Sequence, residues 1–414
     1  MSATNLVPLK ELCESVIDCP HSSPVWKESG IPVVRNYNLV NGHIDMSNLS
    51  YVDEETYKKR TQRAVPEYQD IVISREAPMG VVAIIPKHFK CCMGQRLVLL
   101  KVNKKICNPE YLLYALMSEY VQFQIRNVDR TGSIVSNLNI PDLENLIIPV
   151  VPKPEQKAIA SCIGRLDDKI SNNAAISSQL ESLANTIYDY WFLQFDFPDE
   201  NGRPYKSSGG KMVWNEELKR EIPEKWAVKK LPDIVRWEGG AQPPKSTFVY
   251  CEQPGYVRFI QNRDYADNSH KTYIRKSNNN KLCNEYDIMM DKYGDAGAIR
   301  FGIAGAYNVA LAKIDVQLKN GQEYVRSFLK SEAVYNYLHQ ACVASTRASL
   351  NGDNLSSVYI PIPSQQILFE FEKIIKKDIF QILLLKSENQ QLSSLRDFLL
   401  PMLMNGQVTF KEDA

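Results

Sequence analysis

The sequence predicts an α+β protein: two homologous domains separated by an antiparallel two-helix coiled coil, with the halves related by a pseudo-twofold axis. Three observations lead there. The chain repeats itself at a spacing of about half its length. Each half opens with short strand-like runs and closes on a helix. A long stripe of apolar residues spaced three and four apart follows each half.

The bulk composition sets the frame. A chain of 414 residues exceeds one ordinary core, so two to four domains are expected. The hydrophobic fraction is 44% and the charged fraction 23%, ordinary for a globular protein. The formal net charge of +1 leaves room for a local basic face inside a neutral total. The N-terminus lacks a signal-type apolar core, and no run reaches the roughly eighteen apolar residues of a membrane helix. No membrane association is therefore expected. Nine cysteines without a CxxC pair fit a reducing cytoplasm. Cys13, Cys19 and His21, or His339 and Cys342, fall short of four ligands at a known spacing, so no metal site is expected.

The repeat is legible residue by residue. Asn108-Pro-Glu-Tyr111 through Ser118-Glu119 parallels Gly321-Gln-Glu-Tyr324 through Ser331-Glu332, at an offset of 213 residues. Leu138 to Pro149 parallels Leu350 to Pro361 at an offset of 212, which also relates Leu180 and Leu183 to Leu392 and Leu395. Upstream, Asp70-Ile-Val-Ile-Ser-Arg75 answers Asp287-Ile-Met-Met-Asp-Lys292, and Val33-Val-Arg35 answers Phe259-Ile-Gln261.

The elements follow in order. Strands are expected in "IPVVRNYNL", "DIVIS", "VVAIIP" and "RLVLLKV" of the first half, and in "YVRFIQ", "YDIMM" and "VALAKIDV" of the second. A helix starts at Asn108, with Asn108 as N-cap, Pro109 at the first helical position and Glu110 in the first turn. Leu112, Leu113, Leu116 and Met117 supply its apolar face. "NLIIPVVP" and "SVYIPIP" then close the two domains as strands.

The first long helix is expected from Pro154 to about Phe192, the second from Ser364 to Met404. The stripes place Ile163, Ile170, Leu180, Leu183 and Ile187 of the first helix, and Ile375, Ile382, Leu392, Leu395 and Leu399 of the second, in the core of the helix pair. The first stripe slips phase between Ile170 and Ile176, and Asn389 interrupts the second where an apolar residue is due. One polar residue in a seam costs stability and fixes register. About 38 helical residues span roughly 57 Å, so an antiparallel return needs no long loop. Residues 193–225 between them are rich in Gly, Pro, Ser and charge and read as a linker.

Catalytic signatures are sparse. Asn108-Pro-Glu-Tyr111 resembles the Asn/Asp-Pro-Pro-Tyr/Phe signature of adenine methyltransferases. The second copy replaces Asn-Pro by Gly-Gln, and no Gly-rich strand-to-helix turn for a methyl donor accompanies it. The helix-start reading is preferred. There is no GxxxxGK[ST] loop. Asp199, Glu217 and Lys219 echo a nuclease pattern but sit in the polar linker, and Asp167-Asp168-Lys169 reads as a solvated helix face. No catalytic residue and no resident cofactor are expected.

Taken together, the chain resembles the specificity (S) subunits of type I restriction–modification enzymes over nearly its full length. The resemblance is carried by the domain openings "LVPLKELCESVIDCPHSSPVW" and "WAVKKLPDIVRWEGGAQPPKS" and the exits "IIPVVPKPEQKAIA" and "YIPIPSQQ". The tails "LESLANTIYDYWFLQF" and "LSSLRDFLLPMLMNGQV" and the stretch "DENGRPYKSSGGKMVWNEEL" agree. The second exit departs from the first, with Ser364-Gln-Gln366 where Pro154-Glu-Gln156 stands.

The resemblance implies target-recognition domains at 1–152 and 226–363, conserved long helices at 153–192 and 364–404, the linker at 193–225 and a C-terminal tail at 405–414. It implies a non-catalytic subunit. Each domain would read half of a split double-stranded DNA target, and the helices would set the gap and dock two methyltransferase (M) subunits. Motor-nuclease (R) subunits would complete the enzyme. S-adenosylmethionine, ATP and Mg²⁺ would belong to those partners. The alternative is a non-catalytic scaffold with two protein-binding domains joined by the coiled coil.

Base reading needs side chains with paired donors or acceptors, Arg for guanine and Asn or Gln for adenine. The loop candidates are Arg35, Asn36, Asn38, Arg75, Arg130 and Ser133 in the first half. In the second they are Gln261, Asn262, Arg263, Lys292, Tyr293 and Arg347. Lys58, Lys59, Arg60 and Arg63 are candidate phosphate contacts.

Overall fold

The computed structural model describes residues 4–129, 137–266, 268, 270–343 and 349–410, with the side chain of Asp129 also left out. Contacts divide the chain into two units. Unit 1 comprises residues 1–172 and 388–414, and unit 2 residues 173–387. Each long helix therefore contributes to both: the first spans Lys153–Tyr188 and the second Gln365–Met404.

Unit 1 is built on an antiparallel four-stranded sheet ordered Cys13–Asp18, Leu97–Val102, Ile71–Ser74, Val82–Ile84. Its two central strands are buried on both faces, which is why "IVIS" and "LVLL" read as continuous apolar runs rather than alternating ones. A smaller sheet pairs Ile31–Val34 antiparallel with Ser50–Val52 and parallel with Cys92–Met93. Asn5–Pro8 pairs with Ile147–Val150. The helix Pro109–Met117 packs into the core, with Tyr111, Leu112 and Leu116 fully buried. Asn108 caps it as expected: its side chain accepts from the Tyr111 N–H at 2.9 Å.

Unit 2 reproduces this plan. Val235–Gly239, Leu311–Val316, Ile288–Asp291 and Ile299–Arg300 form the four-stranded sheet in the same order. Gln322–Lys330 replaces Pro109–Met117, and Ala227–Lys230 pairs with Tyr359–Ile362. Individual hydrogen bonds repeat. The Tyr111 hydroxyl donates to the Pro149 carbonyl at 2.7 Å, and the Tyr324 hydroxyl donates to the Pro361 carbonyl. The Leu138 N–H donates to the Arg75 carbonyl at 3.0 Å, and the Leu350 N–H to the Lys292 carbonyl at 3.1 Å.

Within each unit the long-helix segments run antiparallel. In unit 1, Arg396 reaches Asp167 at 3.0 Å while Asn389 donates to the Ile170 carbonyl at 3.1 Å. In unit 2, Lys386 lies 3.7 Å from Glu181, and the Phe371 and Tyr188 rings are 6.4 Å apart. Ile163, Ile375 and Ile382 are buried, and Ile170, Leu180, Ile187, Leu392 and Leu399 are half-buried. Two expected core positions are not core: Leu183 is 48% exposed and Leu395 45%. Their neighbours take the inward positions instead, with Ala184 buried beside Leu183 and Arg396 turned inward beside Leu395. Asp167, Asn173 and Ser177 are buried on the first helix too, so its inward face includes polar residues that an apolar stripe does not reveal.

Residues 193–225 are folded structure rather than a linker. Phe195, Phe197 and Ile222 are buried in the unit 2 core, and Met212–Asn215 pairs with Arg220–Pro223 as a hairpin. Phe197 stacks on Tyr205 at 4.8 Å and on Trp226 at 5.2 Å, and Phe192 meets Phe371 edge-on at 4.8 Å. Polar composition masked these few aromatic anchors. Asp199 is bound to Arg203 at 3.1–3.2 Å and Lys219 to Glu216 at 3.0 Å, so these carboxylate and lysine groups serve local turns.

Candidate nucleic-acid interface

The sequence candidates that fall among the described residues gather on two loop systems in each unit. One is the turn that follows the strand Ile31–Val34 or Tyr256–Ile260. The other is the loop that follows Ile71–Ser74 or Ile288–Asp291.

The first turn is built alike in both units. The Asn38 side chain accepts from the Arg35 N–H at 3.0 Å, and the Asp264 carboxylate accepts from the Gln261 N–H at 3.0 Å. Asn38 and Asp264 are both buried. Asn38 also donates to the Asp45 and Asn48 carbonyls, which removes it from the set of base readers. A short polar side chain was needed here to close the turn from inside. Arg35 is different. Its guanidinium carbon lies 5.0 Å from the Trp26 ring centroid and 4.8 Å from that of Tyr37. Both rings are 43% exposed. Asn36 donates to the Ala77 carbonyl at 2.6 Å, tying the first loop to the second.

The second loop is also duplicated. The Gly80 N–H donates to the Ser74 carbonyl at 2.8 Å, and the Gly297 N–H to the Asp291 carbonyl at 2.9 Å. Both glycines have positive φ, +83° and +93°, where a side chain would be strained. Arg75 is consumed by the scaffold: Nε donates to the Leu138 carbonyl at 2.9 Å and Nη1 to Asp18 at 2.8 Å. A cavity of about 160 Å³ lies beside it, lined by His21, Arg75, Glu76, Gln95 and Arg96.

In unit 2, Lys292 sits 5.7 Å over the exposed Tyr293 ring. Arg263 is exposed, with Nε 3.8 Å from Asp264. Gln261 and Asn262 are half-buried, and the Asn262 side chain accepts from the Arg263 N–H at 3.1 Å. Asp291 sits under this loop, bonded to Arg300 at 2.9 and 3.1 Å. Burial pushes its carboxyl up to about 6, against the lowering effect of Arg300. Arg130, Ser133 and Arg347 lie outside the described residues.

Of the basic stretch, Lys58, Lys59 and Arg63 are exposed, but Arg60 is buried and donates to the Met93, Ser22 and Pro20 carbonyls. That occupies the guanidinium internally and removes it as a phosphate contact. Sequence reasoning missed Trp26, Tyr37 and Tyr250, the last 76% exposed. An aromatic residue in a turn-rich segment such as "HSSPVWKESG" was the available signal.

Among the described residues no group of three or more His, Cys, Asp or Glu could hold a metal, and no helix is long and apolar enough to cross a membrane. The arrangement is a duplicated scaffold that presents different polar side chains at equivalent turns.

The chain belongs to the family whose model is described as the type I restriction modification DNA specificity domain, matched over residues 1–182 and 223–394. That family comprises the non-catalytic DNA-recognition subunits of type I restriction–modification systems, as the sequence resemblance implies. The chain is 26% identical over 397 residues to the type I restriction enzyme MjaIX specificity subunit of Methanocaldococcus jannaschii, covering 89% of this chain and 86% of that one. It is 22% identical over 381 residues to the HindI specificity subunit of Haemophilus influenzae, covering 76% and 81%. The crystal structure of the S subunit from M. genitalium superposes with a TM-score of 0.60 at 16% identity, covering 100% of this chain and 97% of that one. That likeness speaks for the fold.

Proposed function

We propose that this chain is the sequence-reading subunit of a type I restriction–modification enzyme, with each unit reading one half of a bipartite double-stranded DNA target. One observation carries the reading. The same hydrogen-bonded turns recur in both units around a shared asparagine, Asn36 or Asn262, yet they present Arg35 and Tyr37 in one and Gln261 and Arg263 in the other. A conserved frame with exchanged readers is what two different half-site words require.

The long helices set the gap between half-sites and dock two methyltransferase subunits. Motor-nuclease subunits join that assembly in the cytoplasm. S-adenosylmethionine, ATP and Mg²⁺ bind to those partners. The target-recognition domains correspond to residues 1–152 and 226–363.

Mapping methylated adenines in cells that carry this chain and its partners tests the reading. A split motif with a constant gap is expected, and methylation without one would overturn it. Inserting one helical turn into both long helices should lengthen the gap and leave the half-site words unchanged; an unchanged gap removes the ruler role. DNA retention by the purified chain should fall steeply with salt. Retention indifferent to salt would favour a protein-binding scaffold.

A further inference from the structure

We propose that Arg35 reads a guanine in the half-site bound by unit 1, through paired hydrogen bonds to the guanine O6 and N7. The inference rests on the proposed function and deepens it by assigning one base to one side chain.

Among the other basic candidates described in unit 1, Arg63 is exposed, gives one long hydrogen bond to the Asp18 carbonyl at 3.4 Å and has no aromatic partner among the described residues to hold its fork; the rest are spoken for or lack the fork. Arg60 and Arg75 are spent on backbone carbonyls and Asp18. Lys59 is paired with Glu55 at 2.7 Å, and a lysine is a point charge rather than a fork. Arg35 makes no ion pair among the described residues. It is nevertheless held in place. Its guanidinium sits within cation–π distance of Trp26 and Tyr37, and Nη1 donates to the Tyr37 hydroxyl at 3.3 Å. Tyr37 is itself tied to Ser50 at 3.2 Å.

The stem is fixed from below. A Cβ on Gly94 would lie 3.1 Å from Arg35 Cγ and 3.0 Å from the Val34 carbonyl oxygen, so glycine gives the arginine stem its closest seat on this strand end, and a larger residue would press its neighbours back by a few tenths of an ångström. The backbone is fixed by the buried Asn38. The two rings hold the guanidinium at cation–π distance, and with Nη1 bonded to Tyr37 further N–H donors of the fork remain for a planar acceptor pair. Guanine offers that pair in the major groove.

The counterpart position in unit 2 carries Gln261 on the same turn, a side chain suited to adenine rather than guanine. Replacement of arginine by glutamine on one backbone frame marks this as a position where the two units differ in what they read. A phosphate contact would not call for that exchange of chemistry.

The test uses the full chain assembled with its methyltransferase partners, comparing wild type, Arg35→Ala and Arg35→Lys by methylation mapping. Circular dichroism controls for folding. Wild type is expected to require a guanine in one half-site. In both variants discrimination at that position should fall about tenfold to a hundredfold, with the rest of the motif intact. Lysine keeps the charge and loses the fork, so it should not rescue. Full rescue by Arg35→Lys, or an unchanged motif in Arg35→Ala, would overturn the assignment, as would a wild-type motif with no guanine in one half. Wild-type methylation without any split motif would instead sink the proposed function itself.

Discussion

Arg396 donates a 3.0 Å hydrogen bond to Asp167 across the helix pair of unit 1, between side chains that are 18% and 6% exposed. At the repeat offset of 212 residues, Asp167 corresponds to Ile379 and Arg396 to Ala184, both buried in unit 2. One repeat thus closes its seam with an ion pair where the other uses an aliphatic residue and an alanine.

That contrast gives a direct experiment. Arg396→Ala alone leaves the Asp167 carboxylate buried without its partner and should cost about 3–5 kcal/mol. The double variant Asp167→Ile with Arg396→Ala copies the unit 2 solution and should recover most of the loss. Urea denaturation followed by circular dichroism reads both. A double variant no more stable than the single would show that the seam depends on the pair itself.

Asn108 offers a second experiment, because its motif invites a catalytic reading while the structure gives it a capping role. Its side chain accepts from the Tyr111 N–H, and its own N–H donates to Gln156 at 2.8 Å. Asn108→Ala should lower stability by about 1 kcal/mol, the usual worth of such a cap. DNA methylation by the assembled enzyme should be unchanged at a temperature where the variant is folded. Loss of methylation with folding intact would contradict the capping assignment.

Much of this architecture could be read from the chain. The helix start at Asn108 and the repeat-equivalent strands Ile71–Ser74 and Ile288–Asp291, one in each unit, follow from local chemistry and apolar runs. What escaped depends on distant partners. The inward phase of the first helix near Leu183 is set by small and polar residues, Ser177 and Ala184, which carry no apolar signal. The hairpin Met212–Asn215 with Arg220–Pro223 hides in polar composition, because Phe195, Phe197 and Ile222 anchor it at wide spacing. At the interface, Arg35, Arg60 and Arg75 look alike as letters. Only the fold separates the one presented beside exposed rings from the two spent internally.

Arg60 makes that separation measurable. It is buried and donates to three backbone carbonyls, those of Met93, Ser22 and Pro20. Arg60→Ala should destabilise unit 1 by about 2–4 kcal/mol, since charge-assisted bonds are lost and buried carbonyls are left unmet. Lys58→Ala, at an exposed position on the same helix, should stay within about 0.5 kcal/mol of wild type. Equal stability of the two variants would contradict the structural role of Arg60.

Asp291 links the second loop of unit 2 to pH. Its carboxyl is 3% exposed and bonded to Arg300, which also reaches Asp295 at 2.8 Å; Asp295 in turn accepts from the Tyr335 hydroxyl at 2.6 Å. Burial outweighs Arg300 and holds the carboxyl near 6, above its ordinary value of 3.8. The folded state therefore binds this proton more tightly than the unfolded chain does. The contribution is fully present below about pH 4 and is lost as pH rises through about 6, with a ceiling of about 3 kcal/mol. Asp291→Asn removes the titration while keeping the size of the side chain. The stability of wild type relative to that variant should fall between about pH 4 and pH 6.5 and level off above. Chemical denaturation across that range reads the difference, and parallel pH profiles for the two proteins would show that Asp291 ionises without cost in the fold.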